Sequence, residues 1–404
     1  MSRKRPKLHQ NVHHQHEHKH DHDHDHDHKH NQEEEKEDDD EQQLIPGLPD
    51  HIAHLFLTKI HPKFLYPVCP SWRNFIYSPL FPPFLSLYTI FTPISIPSTS
   101  QHVTPIHFSA FDPISSRWRD LPPPPDPPLQ LLLRHPSFIS RNLPIQSVAV
   151  RDRLILVAAT TQHLLPALPR PLVFDPLSRS GQHWGFGPDI PVPRRWCAAG
   201  ALRGEVYLAS GVGSHFSSDI ARAVEKWDIP ADGDSGRWRK VRQLYDGRFS
   251  RESVEAVGWR GKLCMVNVKG DAAKQGAVYD EEKDEWREMS EGMVSGWRGP
   301  AAAMEEDVIY VVDVSKGVLR RYDEVRDVWV VVVENVRLRG AKQMSARGGR
   351  VCVVCRDGVE IFIVDVVAAP VRFWVVQPPS GFNAVAVHVL PRMSGVTNKV
   401  DLVE

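Results

Sequence analysis

The stretch GWRGPAAAMEEDVIYVVDVSKGVLRRYDEVRDVWVVVV, residues 296–333, decides the fold of this 404-residue chain. It contains short apolar runs, of which residues 308–312 are the clearest, separated by polar turns such as residues 315–317. Short β-rich segments between polar turns predict a small antiparallel sheet. One sheet of this size cannot bury both of its faces, so we expect the same unit to recur along the chain.

An aromatic residue followed by Asp, and some positions later by Trp, recurs five times. The copies begin at Phe111, Phe174, Trp227, Tyr279 and Tyr322, and they end at Trp118, Trp184, Trp238, Trp286 and Trp329. In three copies the Trp follows the aromatic residue by seven positions. With Trp374 as the last member, successive tryptophans lie 43 to 66 residues apart. Periods near about 50 residues are typical of kelch-type propellers.

This array resembles kelch repeats, and residues 193–211 form the copy nearest to the family pattern. That copy has Ser210-Gly211 where the family has a double glycine, so the assignment depends on aromatic spacing and strand pattern. The resemblance covers residues 84–390 and implies an all-β kelch-type β-propeller of six blades. A generic β-sandwich is the alternative architecture, but five regular copies fit it poorly.

The apolar segment at residues 383–390 has no repeat of its own, while the first blade lacks a clear fourth strand. We therefore predict that this segment pairs with the first blade and closes the ring, which removes exposed sheet edges. Residues 391–404 would follow as a C-terminal tail. The recurring Tyr and Trp residues of the later copies are predicted to pack between blades.

The composition limits the class of protein. A formal net charge of −1 gives no general attraction to nucleic acid or to an anionic membrane. Five cysteines are few and odd in number, which argues for a reducing compartment rather than a disulfide scaffold. No segment has the pattern of a signal peptide, and no run approaches the roughly 18 apolar residues that span a bilayer. We expect a soluble protein of the cytoplasm, the nucleus or both, with no membrane or nucleic-acid partner.

Residues 1–43 form a low-complexity segment with a basic start, a His/Asp alternation and an acidic run. Such a segment has almost no apolar surface to bury and is predicted to be a disordered tail. Its imidazoles could bind Zn²⁺, Ni²⁺ or Cu²⁺, but no framework fixes their geometry, so weak incidental binding is the favoured interpretation. The basic start is either a nuclear import signal or an ordinary charged terminus.

Residues 44–80 change to an apolar, helical pattern, which opens with LPDHIAHLFL (48–57) and closes with VCPSWRNFI (68–76). Pro49 suits a helix start, and Asp50 is favourable in a first helical turn. Pro62 is expected to end this helix, and Ser71 is expected to cap the last one. The apolar positions Ile52, Leu55, Phe56 and Ile60 share one helical face.

This segment resembles an F-box, a three-helix motif that docks on a Skp-type adaptor of a cullin–RING ubiquitin ligase. The resemblance places the F-box at residues 44–80. It assigns the adaptor contacts to Leu48, Pro49, Asp50, Ile52, Leu55, Val68 and Trp72. The middle of the motif is short, and prolines flank Val68-Cys69 where the family prefers helix. A helical cap packed on the propeller is the alternative. An F-box ahead of kelch repeats resembles a plant-type F-box/kelch-repeat protein.

The sequence contains no nucleophile elbow, zinc-protease motif, P-loop or complete dinucleotide-binding fingerprint. Cys352 and Cys355 have the spacing of a redox or zinc pair. Residues three apart on a strand point to opposite faces, so we expect buried structural thiols. His215 and Asp219 resemble the loop ligands of some iron-binding kelch enzymes, yet two residues do not make a site. We expect a non-catalytic chain with no cofactor and no metal.

In the kelch pattern, the segments that cross from one blade to the next lie on one face, around the channel mouth. Here they carry arginines and aromatic residues. The predicted substrate-binding residues are Arg195, Trp196, Arg248, Arg251, Trp297, Arg298 and Arg339. About half of the arginines are expected to be held by structural hydrogen bonds. The others would form a cationic patch for an acidic or phosphorylated segment.

The two resemblances together imply a substrate-recognition subunit of an SCF-type ubiquitin ligase. The F-box would bind a Skp-type adaptor and through it a cullin, while the propeller would hold an unknown target protein. Such a receptor raises the effective concentration of its target near a charged ubiquitin-conjugating enzyme. A propeller scaffold without a role in ubiquitination is the alternative, and a metal-dependent kelch enzyme is a more remote one.

Overall fold

The computed structural model describes residues 43–94, 103–125, 130–132, 145–161, 163–178, 180–229, 236–250, 253–269 and 272–393. The predicted disordered tail up to residue 42, with its His tract and basic start, lies outside the described residues, as do Arg251 and residues 394–404. Among the described helices, none has the length and apolar character that crossing a bilayer requires.

Three short helices open the described chain: α1 (Asp50–Leu57), α2 (Pro62–Leu65) and α3 (Pro70–Tyr77). Pro49 precedes α1 and Asp50 lies in its first turn, as predicted. The prediction that Pro62 ends this helix is wrong, because α1 stops at Leu57 and Pro62 begins α2. Proline lacks the N–H that the first turn of a helix leaves unpaired, so it starts a helix readily.

A small core joins the three helices. α3 begins at Pro70, and the sulfur of Cys69, rather than the predicted Ser71, accepts the N–H of Trp72 at 3.5 Å. The core side chains are Leu57, Leu65, Phe75, Ile76 and Phe81. Helices of this length are marginal on their own, so this shared core is what stabilises them. We call residues 44–80 the three-helix unit.

Strands follow one another along the rest of the chain. The first group is β1 (Leu85–Pro93), β2 (Val103–Pro105), β3 (His107–Asp112), β4 (Arg117–Asp120) and β5 (Gln130–Leu132). The second group is β6 (Ile145–Val150), β7 (Arg153–Ala159), β8 (Leu172–Phe174) and β9 (Trp184–Phe186). The third group is β10 (Ala198–Leu202), β11 (Glu205–Ala209), helix α4 (Ser218–Arg222), β12 (Val224–Asp228) and β13 (Trp238–Lys240).

The fourth group is β14 (Ser253–Trp259), β15 (Lys262–Lys269), β16 (Ala272–Asp280) and β17 (Glu285–Glu288), followed by helix α5 (Glu291–Gly296). The fifth group is β18 (Ala301–Met304), β19 (Val308–Asp313), β20 (Val318–Asp323) and β21 (Val328–Glu334). The sixth group is β22 (Gln343–Arg347), β23 (Arg350–Cys355), β24 (Glu360–Asp365) and β25 (Arg372–Val376). The final strand is β26 (Phe382–Pro391).

These strands form six antiparallel sheets of four strands, and β2 pairs separately with β5. The first sheet has the order β26-β1-β3-β4, and the other five each take four consecutive strands from β6 to β25. The six-bladed propeller predicted from the sequence is therefore confirmed, and the sandwich alternative is excluded. Each blade runs from an inner strand beside the central channel to an outer strand at the rim.

The last strand joins the two ends of the propeller in one sheet. β26 pairs with β1 from Leu85 opposite Pro391 to Pro93 opposite Phe382, and the Tyr88 hydroxyl donates to the carbonyl oxygen of Pro391 at 2.8 Å. The predicted closing strand is therefore confirmed, and it is slightly longer than the predicted residues 383–390. Without β26, the inner edge of β1 would be unpaired. Pairing with β26 covers that edge and gives the first blade four strands, like the other five.

The recurring tryptophans tie neighbouring blades together. In the first five blades the indole N–H donates to a backbone carbonyl oxygen of the segment that arrives from the preceding blade, whereas Trp374 of the sixth blade is 39% exposed and is not an equivalent member of the series. The pairs are Trp118 to Gln377, Trp184 to Pro122, Trp238 to Pro188, Trp286 to Arg242 and Trp329 to Met293, at 2.7–3.2 Å. Tyr279 and Trp286 are buried in the core between the third and fourth blades, as predicted. The aromatic spacing in the sequence therefore reports a repeated interblade contact.

The propeller has two faces. The turns between the first two strands of each blade, such as residues 203–204, lie on the hairpin face, and the segments that cross between blades lie on the crossover face. The three-helix unit contacts the hairpin face of the first blade. There the Tyr77 hydroxyl donates to Asp112 at 2.5 Å, and Arg392 donates to the carbonyl oxygen of Tyr77 at 2.8 Å. Burial and the Asp112 carboxylate raise the pKa of Tyr77, which keeps its proton.

Candidate functional site

The three-helix unit exposes several large apolar side chains. On α1, Ala53 and Leu57 are fully buried in the unit's core, whereas Leu55 and Phe56 are 67% and 60% exposed. In and after α2, Phe64 and Val68 are 70% and 55% exposed. Large apolar side chains concentrated on one exposed surface usually mark a partner site. We call the group of Leu55, Phe56, Ile60, Phe64 and Val68 the apolar helix surface.

The seven predicted adaptor contacts divide into three groups by burial. Leu55 and Val68 belong to the apolar helix surface. Pro49 and Asp50 are also exposed, and the Asp50 carboxylate accepts the N–H of Leu44 at 3.1 Å. The half-buried members are Leu48, Ile52 and Trp72. The Trp72 indole donates to the carbonyl oxygen of Leu44, so this residue serves the packing of the unit itself.

Two large members of the apolar helix surface, Phe56 and Phe64, were not among the predicted contacts. Phe56 shares the helical face of Leu55, so the periodicity of α1 already contained this signal. No helical periodicity points to Phe64, because α2 is a single turn and its start at Pro62 was not predicted. Once α2 is placed, Leu65 enters the core and Phe64 faces outward.

The crossover segment of the third blade holds its arginines inside the protein. Arg194 is buried and forms an ion pair with the equally buried Glu225 at 2.5 Å. Arg195 is 9% exposed, and its Nη1 donates to the carbonyl oxygen of Gly213 at 2.7 Å. The Arg195 guanidinium also lies over the half-buried ring of Trp196, and burial lowers the pKa of Arg195. Arg195 is therefore held within the crossover segment by the carbonyl oxygen of Gly213 and the ring of Trp196.

The next two crossover segments also hold predicted residues through contacts within the propeller. Trp297 is fully buried, and its indole N–H donates to a carboxylate oxygen of Glu255 at 3.2 Å. A side chain in this position cannot anchor a target without opening the interface between blades. Arg248 forms ion pairs with Asp246 at 2.9 Å and with Glu288 at 3.5 Å, so its charge is largely balanced.

Two of the predicted arginines do meet on the crossover face. The exposed residues Arg298 and Arg339 both contact the turn between β19 and β20. The N–H of Val314 donates to the carbonyl oxygen of Arg298 at 3.2 Å, and Arg339 Nε donates to the carbonyl oxygen of Lys316 at 3.5 Å. Within the described ranges, Arg298, Lys316 and Arg339 form no ion pair. This turn therefore gathers three positive side chains, and the buried Asp313 carboxylate, whose pKa Arg298 helps to lower, balances part of their charge.

Gly317 allows this close approach. It has a φ of +76°, in the left-handed region, and a Cβ there would lie 2.6 Å from the carbonyl oxygen of Asn335 and 3.0 Å from Arg339 Cγ. Only glycine adopts such a backbone without strain. The turn and the arginine segment are consequently packed directly against each other.

The positive surface continues onto the sixth blade. Arg337 and Arg356 donate to the same oxygen of the buried Glu360 carboxylate, at 2.7 and 3.1 Å. Two guanidinium groups on one carboxylate leave an excess of positive charge. Val336 and Val359, which are 70% and 49% exposed, lie beside them in sequence. We call the group of Arg298, Lys316, Arg337, Arg339 and Arg356 the basic surface.

Curated relatives match this combination of helices and propeller. The chain is 51% identical over 362 residues to the F-box/kelch-repeat protein SKIP25 of Arabidopsis thaliana, covering 87% of this chain and 90% of the relative. The chain belongs to the F-box/kelch-repeat family. It is also 25% identical over 283 residues to the F-box protein AFR of Arabidopsis thaliana, covering 67% of this chain and 68% of that relative. No protein-family model matches the chain.

The cysteine pair of this F-box/kelch-repeat protein is structural. Cys352 and Cys355 are both buried and unbonded, and they enter different interblade cores. Burial raises the pKa of each thiol to about 12, so little reactive thiolate forms near neutral pH. His215 and Asp219 belong to no larger ligand group: among the described residues, no three His, Cys, Asp or Glu side chains are arranged to hold a metal ion.

The inner strands of the F-box/kelch-repeat propeller enclose a channel of about 600 Å³. Small side chains such as Ala199, Ala201 and Ala303 line much of it, and Glu255 borders it. Desolvation raises the pKa of Glu255 to about 8, and the hydrogen bond from Trp297 opposes this only in part. The carboxyl group is therefore mostly protonated at neutral pH.

Glu255 should make this protein less stable as the pH rises. The unfolded carboxyl ionises near its ordinary pKa of 4.5, whereas the folded one ionises near 8. Between these values the folded state keeps a proton that the unfolded state releases, so the contribution present below pH 4.5 is lost towards pH 8. Glu255→Gln should therefore gain melting temperature relative to the natural protein as the pH rises. Parallel pH slopes for the two proteins in thermal melts would contradict this.

Proposed function

We propose that this protein is the target-recognition subunit of an SCF-type ubiquitin ligase. Its family and its propeller fold support a receptor-type, non-catalytic role. The apolar helix surface would bind a Skp-type adaptor and through it a cullin, and the basic surface would bind the target protein. One observation carries the proposal: an F-box-like unit leaves large apolar side chains exposed while Tyr77 anchors it to a closed propeller.

The apolar helix surface has the properties of a protein-binding site. Its residues are not needed for the unit's own core, which Leu57, Leu65 and Phe75 fill. Four of its five members are more than half exposed, so binding would remove a large apolar area from water. Fully burying one such side chain contributes about 1.5–3 kcal/mol.

The basic surface indicates the chemical class of the target. Arginine side chains bind carboxylate or phosphate groups through paired, charge-assisted hydrogen bonds. Here they lie beside the exposed Val336 and Val359, which supply apolar contacts in place of the predicted Trp297. We therefore propose that the target presents an acidic or phosphorylated segment with neighbouring apolar residues.

The two surfaces lie on different faces of the propeller. The three-helix unit contacts the hairpin face at the first blade, and the basic surface occupies the crossover face of the fifth and sixth blades. An adaptor and a target can therefore bind at the same time without competing. This arrangement suits a receptor that works by proximity.

Reversing charge on the basic surface should remove the target and leave the adaptor. Arg298→Glu combined with Arg339→Glu replaces two attractive charges by two repulsive ones, so at least about a tenfold loss of target capture is expected. The measurement is affinity purification from cells with the proteasome blocked, followed by quantification of adaptor and bound proteins. Capture should also weaken with added salt, since exposed charges are screened within about 10 Å at 0.1 M ionic strength.

A matched control is Arg287→Glu combined with Arg117→Glu, which changes the same number of exposed arginines on outer strands. Target capture should survive that change. If the basic-surface variant still captures its targets, the target site lies on another part of the propeller. If the natural protein never co-purifies with a Skp-type adaptor, the ligase proposal fails and a scaffold role is favoured instead.

A further inference from the structure

The connection between the three-helix unit and the propeller is short. Phe81 packs into the core of the unit, and β1 begins at Leu85. Only residues 82–84, of sequence PPF, lie between them. A proline ring fixes φ but leaves ψ free, so this connection restricts the rotation of the unit without setting a single angle. Contacts outside the connection must therefore fix the position of the unit on the hairpin face.

The half-buried Arg392 contacts the unit and the connection at once. Its Nη2 donates to the carbonyl oxygen of Tyr77, the last residue of α3, at 2.8 Å. Its guanidinium carbon lies 4.9 Å from the centre of the Tyr77 ring and 5.4 Å from the centre of the Phe84 ring. Its backbone N–H donates to the carbonyl oxygen of Phe84 at 2.7 Å. One residue of the propeller therefore holds both the last helix and the chain that leaves it.

A second contact holds the same end of α3. The Tyr77 hydroxyl donates to the Asp112 carboxylate, which also accepts the N–H of Ile114 at 2.7 Å in the turn between β3 and β4. Ile114 in turn packs against the core of the three-helix unit. Burial lowers the pKa of Arg392, and the negative charge of Asp112 opposes this effect, so the two side chains attract each other. The contacts to Tyr77 thus form one connected group.

Arg392 directly follows the strand that closes the propeller. β26 ends at Pro391, whose carbonyl oxygen accepts from the buried Tyr88 hydroxyl at 2.8 Å. Pairing of β26 with β1 therefore places Arg392 against Tyr77, and a ring without β26 would have no guanidinium at this position. Closure of the ring and fixing of the three-helix unit consequently depend on the same short segment.

We propose that Arg392 is a positioning residue that couples closure of the propeller to the placement of the three-helix unit. The apolar helix surface then keeps a fixed position relative to the basic surface only while the ring is closed. The functional consequence rests on the ligase role proposed above. Because orientation governs how often two held reactants meet productively, a loosened unit would slow ubiquitin transfer to a captured target. Capture of the target and of the adaptor would be unchanged.

The first test measures the placement in the full chain. Spin labels on Lys59→Cys in the three-helix unit and Arg287→Cys in the propeller report one distance by double electron–electron resonance. Both positions are exposed, and Cys69→Ser removes the half-buried thiol while keeping a side-chain acceptor at the start of α3. This labelled chain should give one narrow distance distribution. Adding Arg392→Ala should make it at least about twice as wide, because the proline φ angles restrain the unit only partly.

Two further variants test the coupling and its specificity. Tyr88→Phe removes the hydrogen bond that holds Pro391, so it should widen the distribution, but it should add nothing to Arg392→Ala because it acts through Arg392. Arg326→Ala is the matched control, since Arg326 pairs with Asp323 in its own turn on the same face, and it should leave the distribution narrow. Protection of the β1 amides from hydrogen exchange would show that the ring stays closed in every variant.

The second test measures the functional consequence. Affinity purification from cells with the proteasome blocked gives the amounts of adaptor, of captured proteins and of ubiquitin attached to them. Arg392→Ala should keep the natural capture of both partners and lose at least about threefold in ubiquitin per captured protein. Arg298→Glu with Arg339→Glu should instead lose the captured proteins. If the natural protein captures no ubiquitin-bearing target, the ligase proposal fails, while the spin-label distances still decide the coupling.

Three results would overturn the inference. Arg392→Ala could keep the narrow distribution, which would show that the prolines and Asp112 hold the unit unaided. Tyr88→Phe could widen the distribution equally with and without Arg392, which would show that Arg392 does not transmit closure. Finally, a widened distribution with unchanged ubiquitin per captured protein would show that the placement of the unit does not govern transfer.

Discussion

A chain truncated after Gly381 should fail to form a stable propeller. The truncation removes β26, which is the inner strand of the first blade and pairs with the whole length of β1. It also removes the fully buried Val387 and Leu390 from two interblade cores. These two side chains alone contribute about 3–6 kcal/mol, and a typical domain has only about 5–15 kcal/mol of total stability.

Hydrogen exchange and thermal melting would measure this effect. We expect the amide protons of β1 to lose their protection and the cooperative melting transition to disappear or fall steeply. A chain truncated after Met393 is the matched control, because it keeps β26 and removes only residues 394–404. It should melt like the full protein. A chain ending at Gly381 with an unchanged melting temperature would show that β26 does not close the ring in solution.

Two charged substitutions on the apolar helix surface should abolish adaptor binding. Leu55→Asp combined with Val68→Asp removes apolar contacts contributing about 3–6 kcal/mol and adds two carboxylates that binding would have to desolvate. Because about 1.4 kcal/mol corresponds to a tenfold change in Kd, a loss of more than about a hundredfold is expected. Both side chains are exposed, so the melting temperature should not change.

Titration of the purified chain with a recombinant Skp-type adaptor would provide the measurement. Leu165→Asp combined with Val367→Asp is the control, since it also charges two exposed apolar residues but on the propeller. Leu48→Ala with Pro49→Ala should weaken binding less, because Leu48 is only half-exposed and the change adds no charge. Wild-type affinity in the Leu55/Val68 variant would place the adaptor on another surface.

The propeller could be predicted because its determinants repeat. Trp286 donates to the crossover segment that arrives from the preceding blade, and Trp329 and three earlier tryptophans make the equivalent contact. The same spacing therefore appears several times in the sequence. Closure could be predicted for a related reason. Residues 383–390 are apolar but lack a repeat, and the first blade lacked a strand.

The basic surface was predicted only in part, because residue type does not reveal the direction of a side chain. Arg195 and Arg298 occupy similar places in the crossover segments that enter the third and fifth blades. Arg195 turns inward because the carbonyl oxygen of Gly213 accepts from it, whereas Arg298 is exposed and uses only its backbone oxygen, with Val314. Trp297 turns inward because Glu255 offers an acceptor between blades. These hydrogen-bond acceptors are distant in sequence from their donors and belong to no repeated pattern, so the sequence does not indicate them.

The pairing of β1 with β26 also governs how the protein can be made. The two strands are separated by nearly the whole propeller in sequence, so β26 leaves the ribosome after every strand of the other five blades. During synthesis the earlier blades can form their local hairpins, but the first blade must wait with the inner edge of β1 unpaired. Contacts between such distant segments form slowly, and an open edge is a site for wrong pairing. The nascent chain therefore carries its greatest risk of misassembly until β26 has emerged and paired with β1.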